Sequence, residues 1–152
     1  MEKTVGHATD ITVRPMEEDD ISGVLEIDRK TTGGSRALTY QDQVNIYLGG
    51  ELSLSYVAER DGRIVGFVLG RIRNLRYGIY EGAWFEMIGV DPEYKRQGIG
   101  RQLLTAFLAG CRERKVKQVH LVVSSQDREI KPFIEAIGFT PGEQIHYVKR
   151  LT

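Results

Sequence analysis

A chain of 152 residues, 41% of them hydrophobic, has the length of one domain and enough apolar material for a core. Its charges balance at 21 basic and 21 acidic residues, which argues against general nucleic-acid binding, where a basic excess is expected. No apolar run approaches the length of a membrane span, a single cysteine, Cys111, excludes an internal disulfide and a Cys-only metal site, and His7, His120 and His146 show no ligand spacing.

The expectation is a soluble, cytoplasmic protein with a flexible leader, residues 1–10, and one domain, residues 11–152. The leader carries no apolar signal region. Ile11 to Pro15 alternates and reads as a first strand. Glu17-Glu18-Asp19-Asp20 then places acid at the start of a helix carrying Ile21, Val24, Leu25 and Ile27, where negative charge complements the helix dipole. Thr31-Thr32-Gly33-Gly34-Ser35 is expected to break that helix. Thr39 suits the cap of a second, Tyr40 to Leu48, which Gly49-Gly50 ends. Leu54 to Arg60 and Arg63 to Asn74 flank Asp61-Gly62 and read as a hairpin, because Asp-Gly suits a tight turn with positive φ. Leu75 to Gly82 connects to a strand from Ala83 to Val90. Plain alternation would put Trp84, Glu86 and Ile88 on one face of it, and Phe85, Met87 and Gly89 on the other. Gly89 inside a strand suggests a bulge or a close approach by another backbone or a ligand.

After Val90 comes a polar turn, Asp91-Pro92-Glu93-Tyr94, and then a basic, glycine-spaced loop, Lys95-Arg96-Gln97-Gly98-Ile99-Gly100. A helix opens from the loop with Ile99, Leu103, Leu104, Phe107, Leu108 and Cys111 on one face, so Cys111 reads as a buried thiol. Strand, loop and helix N-terminus together make an anion site. The first N–H groups of a helix have no partners within it, and the dipole adds positive potential there. Lys95, Arg96 and Arg101 add charge. Gln118 to Val123 would lie parallel to the preceding strand, with a right-handed crossover through the helix. His120 within it reads as a satisfied sheet histidine. A short helix begins near Pro132 and closes in Ile137-Gly138-Phe139, and Ile145 to Leu151 alternates as a last strand.

Two phosphate loops fail on these residues. A P-loop needs Lys-Ser or Lys-Thr straight after its last glycine, whereas Arg101-Gln102 follows Gly100. A dinucleotide fingerprint needs a third glycine and an acidic residue closing the next strand, and neither is present. The stretch instead resembles the acyl-CoA-binding motif of the GNAT superfamily of N-acetyltransferases. That motif reads Arg or Gln, two residues, Gly, one residue, Gly or Ala. It falls on Lys95, Gly98 and Gly100, with Lys95 a mild departure. The run from Pro132 to Phe139 resembles the family's second signature, an aromatic helix closing in Gly-Phe. The likeness extends from about Ile11 to Leu151, though only the loop and the Gly-Phe close are specific.

The resemblance implies an α/β fold of the GNAT type. Its sheet would be mixed, mostly antiparallel and twisted, of about six or seven strands, flanked by helices, with a splayed central pair of parallel strands. It also implies acetyl-CoA as co-substrate, without a metal. The pantetheine arm would bond to the backbone around Ile88, Gly89 and Val90, and the phosphates would meet Lys95, Arg96, Gln97, Gly98, Ile99, Gly100 and Arg101. Asp127, where the family often carries an asparagine, and Phe133 would lie near the cofactor. The first two helices and their connection would form one wall of the acceptor site, and Tyr77, Tyr80 and Glu81 either face an acceptor or cover the sheet edge.

Acetyl transfer to an amine needs a base, donors for the developing oxyanion, and both reactants held in line. Glu86 is the candidate base; Phe85 and Met87 beside it are apolar surroundings of the kind that favour a proton-accepting carboxyl. A hydrogen-bonded structural role is its alternative. Ile134 stands where many family members carry a tyrosine whose hydroxyl meets the CoA sulfur. Either no dedicated acid is needed or Tyr147 serves. The expected function is therefore acetyl transfer to a primary amine in a ternary complex, the acceptor being a protein N-terminus, a lysine or a small amine. The enzyme would be a monomer or homodimer with neither nucleic acid nor membrane as partner. The alternative is a non-catalytic acyl-CoA-binding or sensor domain on the same fold.

Overall fold

The computed structural model describes residues 10–32, 54–73 and 82–152. Among these stand five strands, β1 (Thr12–Pro15), β2 (Tyr56–Arg60), β3 (Arg63–Arg73), β4 (Gly82–Val90) and β5 (Val119–His120), and three α-helices, α1 (Ile21–Thr32), α2 (Ile99–Glu113) and α3 (Ile130–Ile137). The strands form one sheet in the order β1-β2-β3-β4-β5. Pairing is antiparallel from β1 to β4, and parallel between β4 and β5. This is the mixed, mostly antiparallel α/β sheet expected, with five strands among the described residues. The chain divides into two compact units, Met1–Leu121 and Val122–Thr152.

In the first unit the β2–β3 turn is as expected. Asp61 and Gly62 both take positive φ, 52° and 77°, the twist that lets two right-twisted strands join through two residues. β3 then fixes the two faces of the sheet. Phe67 and Leu69 pack with Met16, Val24, Ile27 and Val57 in the core beneath α1. Gly66 and Gly70, on the alternate face, lie against α2. A Cβ on Gly66 would approach Ile99 Cγ2 at 3.0 Å and Leu103 Cδ1 at 3.1 Å, and one on Gly70 would overlap the ring of Phe107. Glycine on β3 thus lets α2 sit close to the sheet. Ile99, Leu103, Leu104, Phe107 and Cys111 are buried there, and each large side chain so buried contributes about 1.5–3 kcal/mol.

The helix α1 starts from a 3-10 turn, Glu18–Asp20. Arg14 ties that turn to the sheet. Its guanidinium donates to both oxygens of Asp20 at 2.8 and 2.9 Å, and its Nε donates to Glu59 at 2.9 Å. α1 runs through Thr32, inside the Thr31–Ser35 segment expected to break it; residues 33–35 lie outside the described residues. The Thr31 hydroxyl donates to the carbonyls of Ile27 and Asp28 at 2.8 and 3.1 Å, so its competing side-chain bond falls inside the helix. The leader residues 1–9, the expected helix Tyr40–Leu48 with its glycine pair, and Tyr77, Tyr80 and Glu81 lie outside the described residues.

In the second unit, Asp127 Oδ1 accepts the N–H groups of Glu129 and Ile130 at 3.1 and 3.0 Å, which starts α3. Gly138, at φ 114°, ends it, and the Phe139 N–H donates to the Ile134 carbonyl at 3.1 Å. Two strand expectations are corrected. The strand expected over Gln118–Val123 is only Val119–His120, and Ile145–Leu151 forms no strand. Alternation makes a segment eligible for a ladder but does not supply a partner. Ile145, Tyr147, Val148 and Leu151 are exposed.

Candidate active site

The centre of β4 is not a regular strand. Leu69 pairs with Met87 and Gly70 with Phe85, so Glu86 is an extra residue with none opposite it. This β-bulge overturns the plain alternation expected from the sequence. Before it, Phe85 packs edge-on against Phe107 of α2, ring centroids 5.8 Å apart. Beyond it, Met87 packs against the α1 core. One extra residue reverses the face on which each later side chain falls, and a bulge re-aims the residue it contains. The bulge sits at Glu86 and not at Gly89. Gly89 is the close approach that a strand glycine also signals: a Cβ there would lie 2.6 Å from Phe67 Cε1.

The parallel partner leaves at the same place. β5 pairs with β4 only at Ala83 and Trp84. From Phe85 to Val90, no strand among the described residues covers that edge of β4. Such an edge presents unpaired N–H and C=O groups, as a splayed pair would. Where the two strands still touch, Trp84 and His120 stack, centroids 5.2 Å apart and planes 23° from parallel. His120 is not the satisfied sheet histidine expected, because its Nε2 is buried with no hydrogen-bond partner among the described residues. Glu86 Oε1 is also shielded from solvent.

β4 runs straight into the basic loop. Asp91 is buried, and its Oδ1 accepts the Glu93 N–H at 2.9 Å, which caps a 3-10 turn, Pro92–Tyr94. Lys30 Nζ donates to Asp91 Oδ2 at 2.9 Å. Burial works to raise the Asp91 pKa, but the Glu93 N–H and the Lys30 ammonium outweigh it and hold the carboxyl below its ordinary value. Arg60 of β2 stacks over Tyr94 at 5.9 Å, a cation–π contact. Arg96 takes φ 66° and Gly98 φ 79°. Gly98 has open space where a Cβ would go, so its backbone conformation, not crowding, is what calls for glycine.

α2 starts at once after Gly98, which offers no side-chain cap. Gln102 is the first N–H to return a bond into the helix, to the Gly98 carbonyl at 3.0 Å. The N–H groups of Ile99, Gly100 and Arg101 thus precede the helical ladder. Lys95, Arg96 and Arg101 are exposed around them. Ile99 is 2% exposed, so its side chain belongs to the core and only its backbone faces the loop. These are donors and charges of the kind a phosphate takes.

Glu86, Ile88, Gly89, Val90 and residues 95–101 therefore form one continuous path along β4, the loop and the start of α2. Asp127, Phe133 and Tyr147 belong to the second unit. There Asp127 serves the start of α3, Phe133 is half-buried, Ile134 is buried, and Tyr147 is 86% exposed. Cys111 is buried on α2, and burial pushes its thiol up to about 11, so it is core and not a nucleophile. Lys30 and the Trp84–His120 stack were not picked out as a site in the sequence. Asp91 announced itself only as a turn residue before proline.

The family profile described as "Acetyltransferase (GNAT) domain" matches residues 51–141, more than half of the chain. The chain belongs to the GNAT family of acetyltransferases. The GNAT fold is also that of an aminoglycoside N-acetyltransferase, AAC(6')-Iy, solved with CoA: TM-score 0.76 at 17% identity, over 92% of this chain and 94% of that one. Another, AAC(6')-Ih from Acinetobacter baumannii, has TM-score 0.75 at 18% identity, over 93% and 99%. Among curated relatives, the mycothiol acetyltransferase of Thermobispora bispora is 37% identical over 87 residues, 56% of this chain but only 29% of that protein. The [ribosomal protein bS18]-alanine N-acetyltransferase of Escherichia coli K12 is 23% identical over 128 residues, 84% of this chain and 80% of that protein. The chain thus spans less than a third of the first relative and four fifths of the second. Acetyl-CoA is the co-substrate of GNAT enzymes. No group of His, Cys, Asp and Glu that could hold a metal is found among the described residues.

Proposed function

We propose that this GNAT chain transfers the acetyl group of acetyl-CoA to a primary amine by direct attack within a ternary complex. The observation that carries this reading is the coincidence, within β4, of the bulge at Glu86 and an edge that no strand among the described residues covers from Phe85 onward. The open edge offers backbone groups to align a pantetheine arm, and the loop and α2 offer donors to its phosphates. The bulge falls on a glutamate of the same strand, and one of its carboxylate oxygens is shielded from solvent, which supports a role beside that track. Glu86 takes the proton of the attacking ammonium, directly or through water, and the neutral amine then forms the amide bond as the C–S bond breaks. A thiol is a good leaving group, with a free pKa of about 8.5, so the step runs without a dedicated acid. The buried, apolar Ile134 supplies none. Tyr147 is the alternative donor.

The acceptor is a protein N-terminus, a lysine or a small amine, and the enzyme works in the cytoplasm. The bS18-alanine acetyltransferase, which this chain matches over most of its length, favours the first. The test is calorimetry with acetyl-CoA, followed by free-thiol release across a peptide with N-terminal alanine, a lysine peptide, an aminoglycoside and a polyamine. Binding with turnover on one class supports the reading and names the acceptor. Binding without turnover on any amine would favour the sensor reading that Ile134 motivates. No binding would overturn both.

A further inference from the structure

The Lys30–Asp91 ion pair ties Asp91 to α1. The Asp91 N–H donates to the Val65 carbonyl at 2.9 Å, and its carbonyl accepts the Tyr94 N–H at 2.8 Å. Its Oδ1 accepts the Glu93 N–H at 2.9 Å. These three bonds join the end of β4 to the adjoining strand and to its own turn. The fourth, from Lys30 Nζ to Oδ2 at 2.9 Å, comes from the last turn of α1, 61 residues away in sequence. The Asp91 side chain is 2% exposed and that of Lys30 30%. A carboxylate this deep needs a cation or further donors. Arg63 adds positive charge nearby, and Glu93 also faces Lys30. Neither Arg63 nor Glu93 makes a direct ion pair with the two.

We infer that Lys30 is a positioning residue for the cofactor loop, acting through Asp91 to fix where Pro92–Gly98 leaves the sheet. The inference rests on the acetyl-CoA reading above. Lys30 lies two residues before α1 ends, on the chain that leads into residues 33–53. The strut therefore links the start of the cofactor loop to the last turn of α1. Lys30 bonds to Asp91 and, among the described residues, to none of residues 95–101, so its removal should loosen the loop without removing a ligand to acetyl-CoA.

The test uses the full chain and the variants Lys30→Met and Lys30→Arg. Lys30→Met keeps the apolar stem and removes the charge. It should weaken acetyl-CoA binding in calorimetry, with a matching rise in KM, by a factor of about 5–20, at the lower end of ordinary site-to-site coupling. Turnover at saturation should change less than about twofold, since no group at the reacting atoms is lost. Lys30→Arg should restore most of the affinity. Amide exchange at Glu93 and Tyr94 should quicken in Lys30→Met without ligand. Failure of the wild type to bind acetyl-CoA would sink the functional reading. Wild-type binding with an unchanged Lys30→Met affinity would overturn the strut and leave that reading intact. A loss that Lys30→Arg does not restore, or that comes with an equal fall in kcat, would also overturn it.

Discussion

Glu86, Gly98, Arg96 and Cys111 each carry a separable expectation. Glu86→Gln keeps the shape and the bulge but cannot accept a proton. Its turnover at neutral pH should fall by about 10²–10⁴, the usual worth of a positioned base, while acetyl-CoA affinity holds in calorimetry; equal turnover would remove Glu86 from the chemistry. Gly98→Ala meets no neighbour, so its effect is the left-handed backbone alone, about 1–2 kcal/mol in a denaturation midpoint. Gly98→Glu adds a negative charge to the phosphate track, and should abolish acetyl-CoA binding with the fold retained. Arg96 already bears the left-handed strain. Its replacement by glycine relieves that strain but frees the unfolded chain, so stability should stay nearly level while a cation is lost from the loop. The Cys111 thiol, buried and with its pKa pushed up to about 11, should resist iodoacetamide until the protein unfolds.

At the scale of elements, the close packing of β3 on α2 can be tested by substitution. Gly70→Ala drives a methyl into Phe107 and towards the Leu54 carbonyl at 2.8 Å; over-packing of this kind costs about 1–3 kcal/mol. Phe107→Ala leaves a cavity and costs about 3–5 kcal/mol. Because the two residues touch, Gly70→Ala in a Phe107→Leu background should cost less than in the wild type, a non-additivity that thermal melts would read. These elements were largely legible in advance. The Asp-Gly turn, the apolar face of α2 and the glycine-spaced loop all act over short range, so their residues carry their own signals. The bulge was not, because the period of a strand says nothing of how many residues its neighbour spends over the same rise. The short β5 and the unpaired segment Ile145–Leu151 failed for one reason: pairing depends on a distant partner that alternation does not name.

Across the first unit, acid should be the weak side. The Arg14 guanidinium bonded to Asp20 holds that carboxyl below its ordinary value of 3.8, against burial and with help from the Glu17 N–H. Asp91 is held below the same value. A depressed carboxylate contributes stability that is present above 3.8 and lost as pH falls through its folded pKa. Urea midpoints should therefore be flat in this respect from pH 7 to about 5 and fall below about 4, and Asp20→Asn should make that fall shallower. The link between α1 and the loop was hidden in the sequence for the same reason as the strand pairing. Nothing in Lys30, one of 21 basic residues, marks it as the partner of Asp91.

The bulge has a genetic consequence. Because Phe85 and Met87 already occupy successive positions opposite Gly70 and Leu69, removing Glu86 alone leaves every other residue of β4 on its present face. A single-codon deletion would give a flush, regular strand with the same core. Such a variant should fold and melt close to the wild type while losing transfer.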